Sequence, residues 1–225
     1  MVCKSNQRHQ VLDMAEIFCR LQKVFLPGGH GLLFHLHQEA IGFSNENLIS
    51  VTFVSMSNLR KATPADAAAI NQLVNSAYRG DASRQGWTTE ADLLDGTRID
   101  EAAIRDLIAR PDTTVLTYWE EGALLGCVEL RASENKLYLG MLSVKPDTQG
   151  KGIGKKLMAA AEDHARSQGI PVIFMTVISA RKELIDWYVR HGYRLTGERK
   201  PFVVPDQRWG IPKQKLEFVV LEKTI

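Results

Sequence analysis

The pattern of apolar and polar positions changes character near residue 56. Before it, short apolar runs are broken by Pro27, Gly28, Gly29 and Gly31 and hold no period; only "VLDMAEIFCRL" (11–21) loosely follows helical spacing, through Leu12, Ala15, Ile17 and Phe18. From residue 58 the pattern is regular. "NLRKA" reads as a strand. Thr63 then caps a helix, with Pro64 at its first position and Asp66 where a capping box wants an acid. Ile70, Leu73, Val74 and Ala77 give that helix one apolar face. The glycine-containing stretch "RGDASRQGWTTEADLLDGTRID" (79–100) leads to a second helix over 101–110, and Pro111 stops it. "TTVLTYWE", "ALLGCVELRA" and "KLYLGMLSV" are three strand-like runs joined by turns at Glu121-Gly122 and Ser133–Asn135, which predicts an antiparallel meander. A helix ending at Gly169 follows the third run.

Composition narrows the class. Of 225 residues 44% are apolar and 24% charged, as in ordinary globular proteins. A net charge of +2 argues against a broad nucleic-acid-binding face. No apolar run approaches the ~18 residues of a membrane span. Cys3, Cys19 and Cys127 are too few and too scattered for a disulfide framework or a zinc site, which predicts a reducing, cytoplasmic setting. His30, His35 and His37 lack the carboxylate or cysteine that would complete a metal site, so no metal is expected. Residues 1–55 fit a secretory signal poorly; Asp13 and Glu16 weaken a mitochondrial presequence, which Arg8, Arg20 and Lys23 leave open. The expected division is an N-terminal extension, 1–55, poorly ordered and dispensable for activity, and one domain, 56–225. Met56 would serve as a natural start, with an over-long gene prediction before it.

The chemistry concentrates in "DTQGKGIGKKL" (147–157), which follows the third strand and opens a helix. Unpaired N–H groups and the positive end of the helix dipole favour an anion there, and glycine lets the backbone approach it. Three phosphate motifs compete. A P-loop fails because Gly150 to Gly154 is one residue short and Lys156 stands where Ser or Thr should hold magnesium. A dinucleotide-binding turn fails because the stretch reads G-x-G-x-G after a meander. The third, Q-x-x-G-x-G, is matched by Gln149, Gly152 and Gly154.

That match resembles the GNAT superfamily of acyl-CoA-dependent N-acyltransferases. The resemblance extends over roughly residues 58–222. "YLGMLSVKPDTQGKGIGKKLMAAAEDHARSQG" is similar to the family's core acetyl-CoA motif, and "VIFMTVISARKELIDWYVRHGYRLTGE" to its second, a strand leading to an aromatic-rich helix. It implies an α/β (α+β) fold whose mixed, mostly antiparallel central sheet splits into a V-shaped acyl-CoA cleft flanked by helices. It also implies acetyl-CoA as cosubstrate. Leu142, Ser143 and Val144 would hold the pantetheine arm and supply oxyanion N–H groups. Gln149, Gly150, Lys151, Gly152, Ile153, Gly154 and Lys155 would hold the pyrophosphate. Tyr188 matches the family's tyrosine beside the sulfur and would be the general acid, although Leu184, Ile185 and Tyr188 also form one core-facing helical stripe.

Direct attack of an amine on a thioester needs a neutral amine, a stabilised oxyanion and a proton for the leaving thiolate, but no nucleophilic cysteine; Cys127 reads as core. Some family members place a glutamate base on the strand before the glycine loop. Tyr138 occupies that position here, so Glu129 is the expected base, acting through water, with Glu217 behind it. In the 79–100 stretch Trp87 would wall the acceptor pocket, Glu90 meet a cationic amine and Arg98 a carboxylate, as an amino acid or similar small amine would require. The loop "KPFVVPDQRWGIPKQKLEF" would close the other side. The expected protein is a monomeric or homodimeric N-acetyltransferase acting on a small-molecule amine, with no nucleic-acid or membrane partner. The alternative is a non-catalytic acyl-CoA-binding sensor with the same cleft.

Overall fold

The computed structural model of the protein describes residues 58–203 and 209–225. The expectations for residues 1–55, including the helix near 11–21, the three histidines and the start at Met56, lie outside the described residues.

Each predicted element of the domain forms, with its boundaries set by local chemistry. Strand β1 (Leu59–Lys61) leads to the capping box, where Asp66 Oδ2 accepts from Thr63 N at 2.7 Å and Thr63 Oγ1 at 2.9 Å. The box heads a 3₁₀ turn, Pro64–Asp66, and helix α1 (Ala67–Tyr78) continues from it. The Arg60 guanidinium hydrogen-bonds both Asp66 oxygens and holds that carboxyl well below the usual carboxylate range. Helix α3 (Glu101–Ala109) is capped by Asp100, whose side chain accepts from Ala103 N at 2.8 Å. The meander is β3 (Thr113–Glu120), β4 (Ala123–Ser133) and β5 (Lys136–Val144). Helix α4 (Ile153–Ser167), β6 (Val172–Ile178), α5 (Lys182–Arg190), β7 (Arg194–Pro201) and β9 (Glu217–Thr224) complete the core elements.

Two features inside predicted loops were not anticipated. A one-turn helix, α2 (Gly80–Ser83), follows α1. The two-residue strands β2 (Leu94–Asp95) and β8 (Ile211–Pro212) pair with one another, joining the 79–100 stretch to the C-terminal loop.

The seven-stranded sheet runs β1-β3-β4-β5-β6-β9-β7, and every neighbour pair is antiparallel except β5–β6. Alternation along β4 sends successive side chains to two cores: Cys127 packs with Ile70, Val74, Ile104 and Met141 beneath α1 and α3, while Val128 and Leu130 pack with Leu157, Met158 and Ala161 of α4. Each fully buried Leu-sized side chain contributes about 1.5–3 kcal/mol, so both faces of the middle strands are fixed.

That two-sided clamping makes one irregularity consequential. Between β4 and β5, Glu129 pairs with Gly140 and Cys127 with Ser143, so β5 carries one extra residue. Met141 absorbs it at φ +50°, in the left-handed region, at a cost of about 1–3 kcal/mol. Gly140 makes room for it, since a Cβ there would stand 2.5 Å from the Tyr138 ring. Beside this bulge, β5 pairs with β6 only from Lys136–Tyr138 against Val172–Phe174, although β5 runs on to Val144 and β6 to Ile178. The sheet opens there.

Candidate active site

Two cavities meet at the opening. One, about 270 Å³, lies over the glycine loop; the other, about 210 Å³, lies between the β5–β6 fork and the loops joined by β2 and β8. Tyr78, Leu142, Leu184 and Tyr188 line both.

The first cavity is built from backbone and apolar surface. Gly150 and Gly152 sit at φ +84° and +81°, and Gly152 caps α4 in this left-handed conformation. Both are therefore glycine for their backbone angles, not for neighbouring bulk, because a Cβ on either would meet nothing within 4 Å. Gly154 is different: its Cβ would reach Trp187 at 3.6 Å and Val144 at 3.7 Å. The Lys156 N–H reaches the Gly152 carbonyl at 3.0 Å, so the N–H groups ahead of it are those a helix start leaves over, in the positive end of a fifteen-residue helix. Trp187 forms an aromatic wall with Trp87 (5.9 Å) and His191 (4.3 Å). This set suits acetyl-CoA: N–H donors for the pyrophosphate, an apolar slot for the arm.

On the open edge of β5 the carbonyls are already spoken for. Tyr78 Oη donates to the Leu142 carbonyl at 2.7 Å and Gln149 Nε2 to the Val144 carbonyl at 3.1 Å. Burial, reinforced by the negative charge of Glu90, pushes the Tyr78 phenol up to about 12, so it remains a donor at any physiological pH. Gln149 does more. Its Oε1 accepts from Trp87 N at 2.9 Å and its Nε2 also donates to Thr88 Oγ1 at 2.8 Å. Gly86 is required beside it, since a Cβ there would stand 2.7 Å from Gln149 Oε1. The carboxamide thus ties the 86–88 segment to the cofactor strand.

The second cavity is charged. Arg79 and Glu90 form a buried ion pair, and Arg181 Nη1 lies 3.5 Å from Glu90 Oε1. Arg98 lines the same cavity, its guanidinium 5.8 Å from the Tyr78 ring centre, and Phe202, Val203 and Trp209 line it from the C-terminal loop.

Tyr188, at the junction, is almost fully buried, edge-on to Trp187 at 5.1 Å and to Tyr193 at 5.8 Å. Burial, then the neighbouring phenols, raise its pKa well above 10. A buried thiol shifts the same way: burial pushes Cys127 up to about 12. Cys127 itself stays a neutral core thiol.

The expected residues sort as follows. Leu142, Val144, Gln149, Gly150, Gly152, Ile153, Gly154 and Lys155 come together around the first cavity. Ser143 is buried with its Oγ donating to the Met141 carbonyl, and Lys151 does not line the cavity. Trp87 lines the first cavity and not the second, because Gln149 draws its backbone there. Glu90 lines the second cavity but is committed to two guanidiniums, and Arg98 lines it too. Glu129 lines neither cavity; burial raises its carboxyl, with Arg131, Arg98 and Arg110 opposing. Glu217, the reserve base, is half-buried in an ion pair with Arg199. Sequence reasoning missed Tyr78, Arg79 and Arg181, which carry no local signature. It also missed the bulge, for which a glycine inside a strand, Gly140, was the available signal. Among the described residues no cluster of three His, Cys, Asp or Glu side chains could hold a metal, and no helix is long and apolar enough to cross a membrane.

Comparison with known proteins agrees with this geometry. The Acetyltransferase (GNAT) family matches residues 68–193, more than half of the chain, and the protein belongs to that family. An amino-acid acetyltransferase of Ralstonia nicotianae is 29% identical over 145 residues, 64% of this chain but only 28% of that protein, so the chain spans under a third of that relative's length. The uncharacterized N-acetyltransferase YhfO of Bacillus subtilis is 28% identical over 142 residues, 60% of this chain and 89% of YhfO. Among solved structures, a putative acetyltransferase of Salmonella typhimurium with its cofactor acetyl-CoA superposes with a TM-score of 0.55 at 23% identity, covering 74% of this chain and 92% of that one.

Proposed function

We propose that the protein transfers an acetyl group from acetyl-CoA to the primary amine of a small molecule, and that residues 56–225 carry this activity. The observation that supports it is the junction itself: a backbone-lined cavity and a polar cavity share Tyr78, Leu142, Leu184 and Tyr188.

Acetyl-CoA, when bound, supplies an activated thioester. The N–H groups of residues 150–155 and Lys155 hold its pyrophosphate, and the apolar wall of Trp87 and Trp187 keeps water from the arm. With the Leu142 and Val144 carbonyls occupied by Tyr78 and Gln149, the N–H groups of Leu142 and Val144 are the donors left for the arm and for a carbonyl oxygen gaining charge. In the reaction the amine nitrogen bonds the acetyl carbon and the carbon–sulfur bond breaks. The sulfur receives a proton from Tyr188 Oη, the amine proton goes to water, and the tyrosinate regains a proton from water before the next turnover. Arg79, Arg98 and Arg181 disfavour an ammonium in the acceptor cavity and so favour the neutral amine. Glu129, away from both walls, would act as base only through water.

Thiol release from acetyl-CoA on addition of amines and amino acids tests this reading. Turnover with at least one amine is expected. Calorimetric binding of acetyl-CoA without release by any amine would replace the enzyme with an acyl-CoA-binding module.

A further inference from the structure

The acceptor cavity contains an arginine that the protein leaves incompletely paired. The Arg181 side chain is 3% exposed, yet neither Nη1 nor Nη2 has a hydrogen-bond partner among the described residues. Its Nε reaches Glu183 at 3.2 Å, and Glu183 is itself half exposed. Glu90 Oε1 stands 3.5 Å from Nη1, while Glu90 Oε2 accepts a hydrogen bond from Arg79 Nη1; the Nε of Arg79 is itself unpartnered. Among the described residues lining this cavity the charged side chains are Arg79, Arg98, Arg181 and Glu90, three positive against one negative. A buried, unmet guanidinium donor is costly, because it gives up its water without gaining a partner. Two such donors on one planar fork, in a cavity with excess positive charge, form a receptor for a planar anion.

We propose that the acceptor carries a carboxylate as well as its amine, and that Arg181, backed by Arg79, receives that carboxylate. This rests on the acetyl-transfer reading and names its substrate class: an amino acid or a comparable small amine-acid. Arg98, the carboxylate residue expected from sequence, faces the same cavity but leans on the Tyr78 ring and adds charge there. Glu90 holds the two buried arginines in one place instead of meeting the amine. Arg181 precedes α5, the helix that bears Tyr188, so the anchored carboxylate and the proposed acid are positioned by one element.

The test compares each amino acid with its carboxamide, and with O-phosphoethanolamine as a differently shaped anion. With the wild-type protein, acids should exceed amides by about 10²-fold or more in kcat/KM, because an amide leaves the guanidinium unpaired. Arg181→Met should remove most of that preference, chiefly through KM, while acetyl-CoA affinity stays within a few-fold; Arg181→Lys should restore part of it. Calorimetry of N-acetylated amino acids and their amides, with CoA present, provides a readout without turnover. Binding of the acids alone supports the carboxylate site even where no amine is acetylated, a result that would sink only the transfer reading. Equal handling of acids and amides by the wild-type protein, binding of neither, or a preference for phosphoethanolamine overturns the proposal. The wild-type comparison decides the matter even if Arg181→Met does not fold.

Discussion

The two cavities face each other across Tyr188 and are made in opposite ways. The cofactor side uses main-chain N–H groups, left-handed glycines and aromatic walls, most of it from the contiguous run 142–155 and helix α5. The side proposed for the acceptor uses arginine side chains from positions 79, 98 and 181, the first and last held by the buried Glu90, and is closed by residues 202, 203 and 209. A backbone site reads features that every CoA ester shares. A side-chain site can be altered one residue at a time without moving the sheet. The contrast separates a constant half of the protein from an adjustable one, and Gln149 is the tie between them.

The strongest way to break the constant half is Gly152→Val. A β-branched residue at φ +81° is strained and would turn the loop's N–H groups away. CoA binding should fall below detection by calorimetry while circular dichroism stays native. Gly154→Ala sharpens this, because its Cβ meets only ordinary contacts in the protein; a loss of affinity there reports the approach of the ligand alone. Unchanged affinity in both variants would remove the anion-loop reading.

At the junction, Tyr188→Phe deletes one oxygen and little volume, so packing against Trp187 and Tyr193 should survive. Turnover should fall by ~10²-fold, about 2.7 kcal/mol at ~1.36 kcal/mol per decade, with CoA affinity within a few-fold. Because burial raises this phenol's pKa, its protonated form persists to higher pH than usual. The wild-type kcat profile should therefore show no alkaline fall from Tyr188 below about pH 10. Near-wild-type turnover in the Phe variant would exclude Tyr188 as an essential acid.

Gln149→Ala tests the tie. Three hydrogen bonds are lost, worth about 2 kcal/mol together, which predicts a Tm lower by roughly 4–8 °C. Both CoA affinity and acceptor KM should worsen, each by up to about tenfold. A variant with an unchanged Tm and a selective loss of CoA would show Gln149 to be a direct ligand instead of a brace.

The smallest effect concerns the loop lysines. Lys155 lines the cofactor cavity and Lys151 does not, though both are exposed. Lys155→Ala should weaken CoA a few-fold at low salt, and less at high salt as screening grows, while Lys151→Ala should change little. Equal effects from both would mean that the loop acts through general charge.

Much of the architecture was legible in the chain because it is local. Thr63 and Asp66 announced a helix start, Glu121-Gly122 a hairpin, and the Q-x-x-G-x-G run an anion site beside a helix N-terminus. Each rests on interactions a few residues apart. The acceptor pocket was only partly legible. Glu90 and Arg98 line the charged cavity, Trp87 lines the other one, and Arg79 and Arg181 were passed over. A buried arginine looks like a surface arginine until its neighbours are known, and Glu90 lies 91 positions before Arg181.

The sequence by itself determined the meander, the longer helices, the glycine loop and the family, because periodicity, caps and glycine spacing are properties of short segments. Tertiary structure alone decided where the sheet opens, which wall Trp87 joins, what Glu90 pairs with and where unpaired positive charge is left. Those outcomes depend on burial and on contacts between distant segments. Burial makes an unmet guanidinium costly and a phenol hard to ionise, and it is a property of the folded chain, not of any residue in it.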